Sequence, residues 1–290
     1  MTIGPVTLRN PVIASSGTYG YGLEYECFAD PTLLGAVVVK SLTDEPRPGF
    51  AAPRVTPLEV PGSMLNAVGV PNPGVVHWAE HILPAMLERG APVVASVWGT
   101  DGDAVLRAAT LLSNYEGPMA WEVNLSCPNS GHPGSPVSHD PDAAAEVCRE
   151  ARRLAPDGVG LWAKLSPDAP DIVAVATACQ EAGADAVTVS NTMPARSQPM
   201  PTPTHLGGGA GGISGSMLRQ HVRPLIEKLA GNAPDLTVLA CGGVTSSAVA
   251  LDYLDLGAAA VQVGTANLYD PRATHKIARG VVAALQARAR

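Results

Sequence analysis

Short apolar runs of strand length recur along the chain, at 11–15, 36–40, 93–97, 121–125, 159–165, 186–190, 237–240 and 260–264. Between and after them, apolar positions take helical spacing at 74–89, 103–114, 141–155, 170–182, 217–230, 246–257 and 274–290. Alternation of this kind predicts an α/β fold with a parallel sheet and helices outside it. Eight repeats favour a closed (β/α)8 TIM barrel over an open doubly wound sheet. The segment 2–8 reads as a short N-terminal β-hairpin that closes the bottom of the barrel. No internal repeat and no break in composition marks a linker, so a single domain over 1–290 is expected. Two connections, 42–73 and 193–212, far exceed the usual loop length, and such loops are commonly functional. Both follow strands and belong to the face where barrel enzymes keep their sites.

The fourth run carries the strongest local signal. Trp121, Val123 and Leu125 fall on one face of a strand, and Glu122 and Asn124 on the other. The strand stops at Ser126-Cys127-Pro128-Asn129 and leads into a Gly- and Pro-rich loop over 130–138 that is expected to close over a ligand. A lone Cys is ordinarily a small buried hydrophobe. An amide before it and a Pro-Asn turn after it make Cys127 a candidate for chemistry, since packing requires neither.

The other strand ends read alike. Ser15-Ser16-Gly17, Lys40-Ser41, Ser96, Lys164, Ser190-Asn191-Thr192, Gly242-Gly243 and Gly264-Thr265 are all polar or glycine. Glycines after strands seven and eight leave backbone amides bare for a phosphate, although they also suit tight turns. Lys40 and Lys164 end apolar strands, where an ammonium is costly without an acceptor. They point to an anionic guest. Asn66, Asn124, Asn129 and Asn191 can donate to and accept from a planar heterocycle.

Composition narrows the field. A formal net charge of −7 argues against nucleic acid or an anionic membrane as the main partner. The N-terminus has neither the basic end nor the apolar core of a signal peptide, and no run is long enough to span a bilayer, so a soluble cytoplasmic protein is expected. The cysteines at 27, 127, 148, 179 and 241 lack the spacing of a metal or iron–sulfur site. Redox chemistry would therefore need an organic cofactor. Three motifs are decoys. His77-Trp78-Ala79-Glu80-His81 matches the inverted zinc-peptidase pattern on a helix that faces away from the strand ends, so no metal is expected. Gly207-x-Gly209-x-x-Gly212 lacks the strand a dinucleotide fingerprint needs, and Asn124-Leu125-Ser126 is a sequon without meaning in a cytoplasmic chain.

Taken in order, these stretches resemble the class 1 dihydroorotate dehydrogenases, FMN-containing barrels. The resemblance is carried by 10–20 (Asn-Pro-Val-Ile-Ala-Ser-Ser-Gly-Thr-Tyr-Gly), 40–49 with Glu45-Pro46-Arg47-Pro48-Gly49, and 64–69 (Met-Leu-Asn-Ala-Val-Gly). It continues through Asn124-Leu125-Ser126-Cys127-Pro128-Asn129, Lys164-Leu165-Ser166-Pro167, Asn191-Thr192, 211–215 and 261–267. It implies FMN held by Ser16, Lys40, Ser41, Ser96, Asn124, Lys164, Ser190, Gly215, Gly242, Gly243, Gly264 and Thr265, with Lys164 against the flavin edge that becomes anionic on reduction. Substrate, dihydroorotate or its product orotate, would be held by Lys40, Asn66, Ala67, Val68, Gly69, Val70, Asn124, Asn191 and Thr192. Cys127 would be the general base of an oxidation that belongs to pyrimidine biosynthesis. The stretches at 45–49 and 65–69 look most like the NAD-linked type, whose homodimer joins a subunit with FAD and an iron–sulfur cluster as a heterotetramer. The fumarate-linked homodimer is the other type.

The chain departs from the pattern at 193–197 and at Ser216-Met217, where a Pro is expected after Gly215. Two other readings stand beside the first. One is an FMN barrel that acts on dihydrouracil, whose substrate has no carboxylate for Lys40. The other is a barrel that binds a phosphorylated ligand without redox chemistry, which leaves Cys127 and the asparagines without a role.

Overall fold

The structure, a computed structural model, describes every residue except 127–128, 131, 134–135, 196–205 and 209–210; at 129–130 and 132–133 it describes the backbone. Eight strands close into a barrel: β1 (Val12–Ala14), β2 (Ala36–Val38), β3 (Val93–Val97), β4 (Ala120–Asn124), β5 (Gly160–Leu165), β6 (Ala186–Val189), β7 (Val238–Cys241) and β8 (Ala260–Val263). Every neighbouring pair is parallel, and β8 pairs with β1 to complete the ring. Closure leaves no exposed edge, as strands buried on both faces require.

Side-chain alternation divides the core into two layers. Trp121, Val123 and Leu125 join the large cluster between strands and helices. Residues of opposite parity, including Ile13, Val38, Val94, Trp162 and Leu239, fill the lower barrel with Ile3, Val6 and Leu8. Ile3 and Val6 come from the hairpin of Thr2–Ile3 and Val6–Thr7 and Leu8 directly follows it; the hairpin plugs the bottom as expected.

The outer helices are α1 (Val75–His81), α2 (Leu83–Glu88), α3 (Gly102–Leu112), α4 (Pro141–Leu154), α5 (Ile172–Glu181), α6 (Arg219–Asn232), α7 (Ser247–Asp255), α8 (Ala266–Tyr269) and α9 (Ala273–Arg288). Asp101, Asp140, Asp171 and Ser246 cap α3, α4, α5 and α7 through side-chain oxygens, which satisfies amides otherwise left free at a helix start. The helix expected over 74–89 breaks at Ile82. Pro84 has no N–H to continue the ladder and opens α2 instead.

The two long connections differ from the expectation of plain loops. Val55–Pro57, Ser63–Asn66, Met193–Pro194 and Gly212–Gly215 form a four-stranded antiparallel sheet. Its central pair joins segments 146 residues apart, at Asn66 and Gly212. Strands this short, with glycine or proline in three of the four, have no period that a sequence window can detect.

Candidate active site

The strand ends converge at the upper mouth of the barrel. Ser41 Oγ, just beyond β2, lies 2.8 Å from Ser96 Oγ of β3 and 3.4 Å from Ser16 Oγ. Asn124 Nδ2, at the end of β4, donates to Ser41 Oγ at 3.4 Å. Its Oδ1 accepts from Asn191 Nδ2 at 3.3 Å and from the Ser126 amide at 3.2 Å. Thr192 N donates to Asn191 Oδ1, and Ser190 Oγ donates to the Asn191 carbonyl. One connected row of hydroxyls and amides therefore runs from β1 through β2, β3 and β4 to the loop after β6.

The antiparallel sheet adds a second wall. Asn66 Nδ2 donates to the Gly212 carbonyl at 2.9 Å, and a Cβ placed on Gly212 would meet Thr192 Oγ1 at 2.2 Å. Asn66 and Thr192 thus flank one stretch of backbone. The segment 66–70 is wrapped by 50–54: Ala67 N donates to the Arg54 carbonyl, and Phe50 N to that of Val68. Gly69 and Val70 both take positive φ, and a side chain on Gly69 would collide with Phe50 N at 2.6 Å.

The two lysines meet opposite surroundings. Lys164 is 3% exposed, with Nζ 3.4 Å from Glu122 Oε1. Burial works to lower its pKa, but the Glu122 carboxylate beside it raises the ammonium above its ordinary value. Lys40 is half-buried, and among the described residues its Nζ has no hydrogen-bond or ion-pair partner. Burial, reinforced by repulsion from Arg54, pushes its pKa below the ordinary lysine range. A desolvated cation without a counter-ion is the group an anionic ligand relieves most.

The glycines divide by cause. Gly215, Gly242 and Gly243 all have positive φ, and a side chain on any of them would strike neighbouring atoms within 3 Å: the Gly62 carbonyl, Leu218 or Arg219. Packing alone demands those three. Gly264 is different, since a Cβ there would stand in ordinary contact with Ser15 and Thr18, at 3.7 and 3.8 Å. The amides of Gly243, Gly264 and Thr265 donate to nothing among the described residues. Bare amides at successive strand ends form a cradle that suits a phosphate.

Cys127 lies outside the described residues, as do 128, 131 and 134–135 of the loop after it. Its approaches are fixed on both sides. Ser126 Oγ is buried without a hydrogen-bond partner among the described residues. Beyond the loop, Ser138 N donates to the Leu125 carbonyl, Ser138 Oγ accepts from Ser166 N, and His139 bonds Asp168 at 3.0 Å. Of the decoys, His77 and His81 lie on the solvent face of α1. Gly212 opens a strand where a dinucleotide fingerprint needs a helix, and Gly209 lies outside the described residues.

A model of the family described as dihydroorotate dehydrogenase matches residues 1–285. The chain belongs to the dihydroorotate dehydrogenase family. It is 36% identical over 267 residues to a protein of Geobacillus kaustophilus named dihydroorotate dehydrogenase B (NAD(+)), catalytic subunit, covering 92% of this chain and 84% of that one. Proteins of the same name from Trichlorobacter lovleyi and Desulforudis audaxviator are 37% and 38% identical, covering 96% of this chain and 90% and 89% of theirs.

For a member of this flavin-dependent family, four residues stand out that the sequence reading passed over. Thr188 and Gln262 bond Glu122 inside the barrel, and Cys241 shares their chamber with its Sγ 3.4 Å from Ser15 Oγ. Their signal was a polar or thiol side chain at inward parity in an apolar strand. Arg54, whose charge acts on Lys40, had none. It comes from a connection that only the antiparallel sheet places at the mouth.

Proposed function

We propose that this chain, one FMN-binding domain, is the catalytic subunit of an NAD-linked dihydroorotate dehydrogenase that oxidises dihydroorotate to orotate in pyrimidine biosynthesis. The observation that carries the substrate is Lys40, a partly desolvated cation with no partner among the described residues, one position before the Ser41 that accepts from Asn124. A pyrimidine with a carboxylate satisfies both, whereas dihydrouracil leaves the cation without an anion.

FMN fits the residues present: the amides of Gly243, Gly264 and Thr265, free among the described residues, suit its phosphate, and the row from Ser16 to Asn124 suits a polar ring edge. When bound, it would supply the acceptor for a hydride equivalent. Lys164 holds a fixed positive charge on the floor of the mouth, where developing negative charge is stabilised. Lys40 binds the carboxylate; Asn66, Asn124, Asn191 and Thr192 orient the ring. Cys127 takes the proton from the ring carbon next to the carbonyl. A free thiol is mostly protonated at neutral pH, so the occupied site must favour its thiolate.

The words "catalytic subunit" in the names of the relatives support a partner subunit. In our reading that partner carries FAD and an iron–sulfur cluster around a homodimeric core, in the cytoplasm. No helix among the described residues is long and apolar enough to cross a membrane.

The test is the visible spectrum of the purified chain without oxygen, before and after dihydroorotate, with dihydrouracil as the control. A flavin band bleached by dihydroorotate alone is expected. Bleaching by dihydrouracil alone would overturn the substrate, and absence of flavin would overturn the reaction.

A further inference from the structure

The chamber beneath the mouth holds a charge whose counterpart is the Lys164 ammonium. Glu122 and Lys164 sit on adjacent strands β4 and β5, where Glu122 pairs with Trp162 and Asn124 with Lys164. Both side chains turn into the barrel and are nearly removed from water. The two oxygens of Glu122 have separate partners. Oε2 accepts from Gln262 Nε2 of β8 at 2.7 Å and from Thr188 Oγ1 of β6 at 3.0 Å. Oε1 has no hydrogen-bond partner among the described residues and faces Lys164 Nζ at 3.4 Å. Gln262 also reaches Thr188 at 3.1 Å, so the carboxylate is held by side chains that bond one another.

Packing gives no reason for this arrangement. Apolar side chains of similar volume generally hold a core as well as a buried ion pair does. An amine at this depth, however, loses its charge unless an anion stands beside it. The titratable groups that act on Lys164 are Glu122 from β4 and Cys241 from β7; Thr188 and Gln262 are uncharged. Burial raises the Cys241 thiol above its ordinary range, so it is no anion at neutral pH. Among the described residues, only Glu122 can keep Lys164 charged.

We infer that Glu122 is a positioning residue of the flavin site: locked by Thr188 and Gln262, its carboxylate keeps the Lys164 ammonium charged and in place. The contribution of Lys164 to the preference of the site for reduced over oxidised cofactor is then constant from neutral to alkaline pH. This rests on the reading that Lys164 faces the flavin.

The experiment measures the midpoint potential of FMN bound to the loaded protein, by equilibration with reference dyes, at about pH 6.5 and about pH 9, a span below the ordinary lysine pKa. Each value is taken relative to free FMN. Wild type is the reference at each pH, because Lys40 at the same mouth also has a lowered pKa. Glu122→Gln keeps the shape and removes the counter-ion. It is expected to match wild type at the lower pH and to lose the preference for reduced FMN by about tenfold at the higher, about 30 mV for a two-electron couple. Lys164→Met is expected to lose it at both.

On a merely structural role for Glu122, its replacement would lower the melting temperature and leave the wild-type pH profile unchanged. The inference is overturned if Glu122→Gln equals wild type at both pH values while Lys164→Met does not. If Lys164→Met also equals wild type, the placement of Lys164 against the flavin fails first, and the inference with it. Should Glu122→Gln not hold FMN, Gln262→Met, which frees the carboxylate without removing it, carries the same test with a smaller loss in the same direction.

Discussion

Lys40 and Lys164 show how one side-chain type takes two roles from its surroundings. Lys164 has its counter-ion built in and is held charged; Lys40 has none among the described residues and is held ready. The Lys40 pKa is lowered on folding, so keeping it protonated opposes folding, and a bound carboxylate reverses that. Orotate affinity is therefore expected to fall as pH rises through the depressed pKa of Lys40. Lys40→Met is expected to weaken orotate binding at neutral pH by about 2 kcal/mol or more, the usual cost of removing one partner of a buried charge pair. The same variant should leave the unliganded protein as stable as wild type or more so. Isothermal titration across pH and urea unfolding check the two halves, and unchanged orotate affinity would remove Lys40 from the carboxylate site. Cys127→Ala is expected to retain FMN and lose about two to four decades of turnover, the range for a general base. Turnover near wild type would exclude Cys127 as the base.

Among the elements, the hairpin at the bottom and the sheet at the top have different tasks. The hairpin and the residue after it contribute Ile3, Val6 and Leu8 to a closed apolar layer and touch none of the candidate site. Leu8→Ala is expected to cost about 2–5 kcal/mol of stability, as buried Leu truncations do. The spectral response to dihydroorotate should persist below the unfolding transition; urea unfolding and the anaerobic spectrum together read this. The upper sheet does the opposite work. It brings Asn66, Arg54 and Thr192 to the mouth, and Ser63 Oγ, 2.8 Å from Ser216 Oγ, ties it to the segment that leads into α6. The Ser216 that departs from the family pattern is therefore a tether. It also bonds the Pro61 carbonyl at 2.6 Å, which a proline could not do.

Over the whole molecule, an acidic chain presents a cationic mouth. The net charge of −7 disfavours anionic macromolecules, but Lys40, Arg54 and Lys164 gather at one end of the barrel and make a small anion the matching guest. The antiparallel sheet places Arg54 there, while the two lysines are gathered by closure of the eight parallel strands. Closure brings together strand ends spread from Ser16 to Thr265, each contributing one or two side chains from a rigid support. The candidate base is placed differently, at the root of a loop whose far end is tied to β4 and β5 through Ser138 and His139.

The sequence by itself determined the barrel, because eight apolar runs with helices between them have few other ways to bury both faces of their strands. It also determined which residues stand at the mouth, since strand parity and strand ends can be counted along the chain. Glu122 and Asn124 were legible as inward neighbours on that ground. Only the tertiary structure decided what those residues meet. Thr188 and Gln262 reach Glu122 across the barrel interior, and Arg54 reaches Lys40 because a sheet of very short strands folds over the mouth. Three of the four glycines expected to face a phosphate proved necessary to packing, and Gly264 alone did not, a distinction that depends on distances to atoms far away in sequence. Local pattern fixes the direction in which a side chain points; the partner it finds depends on closure of the chain, which no local window contains.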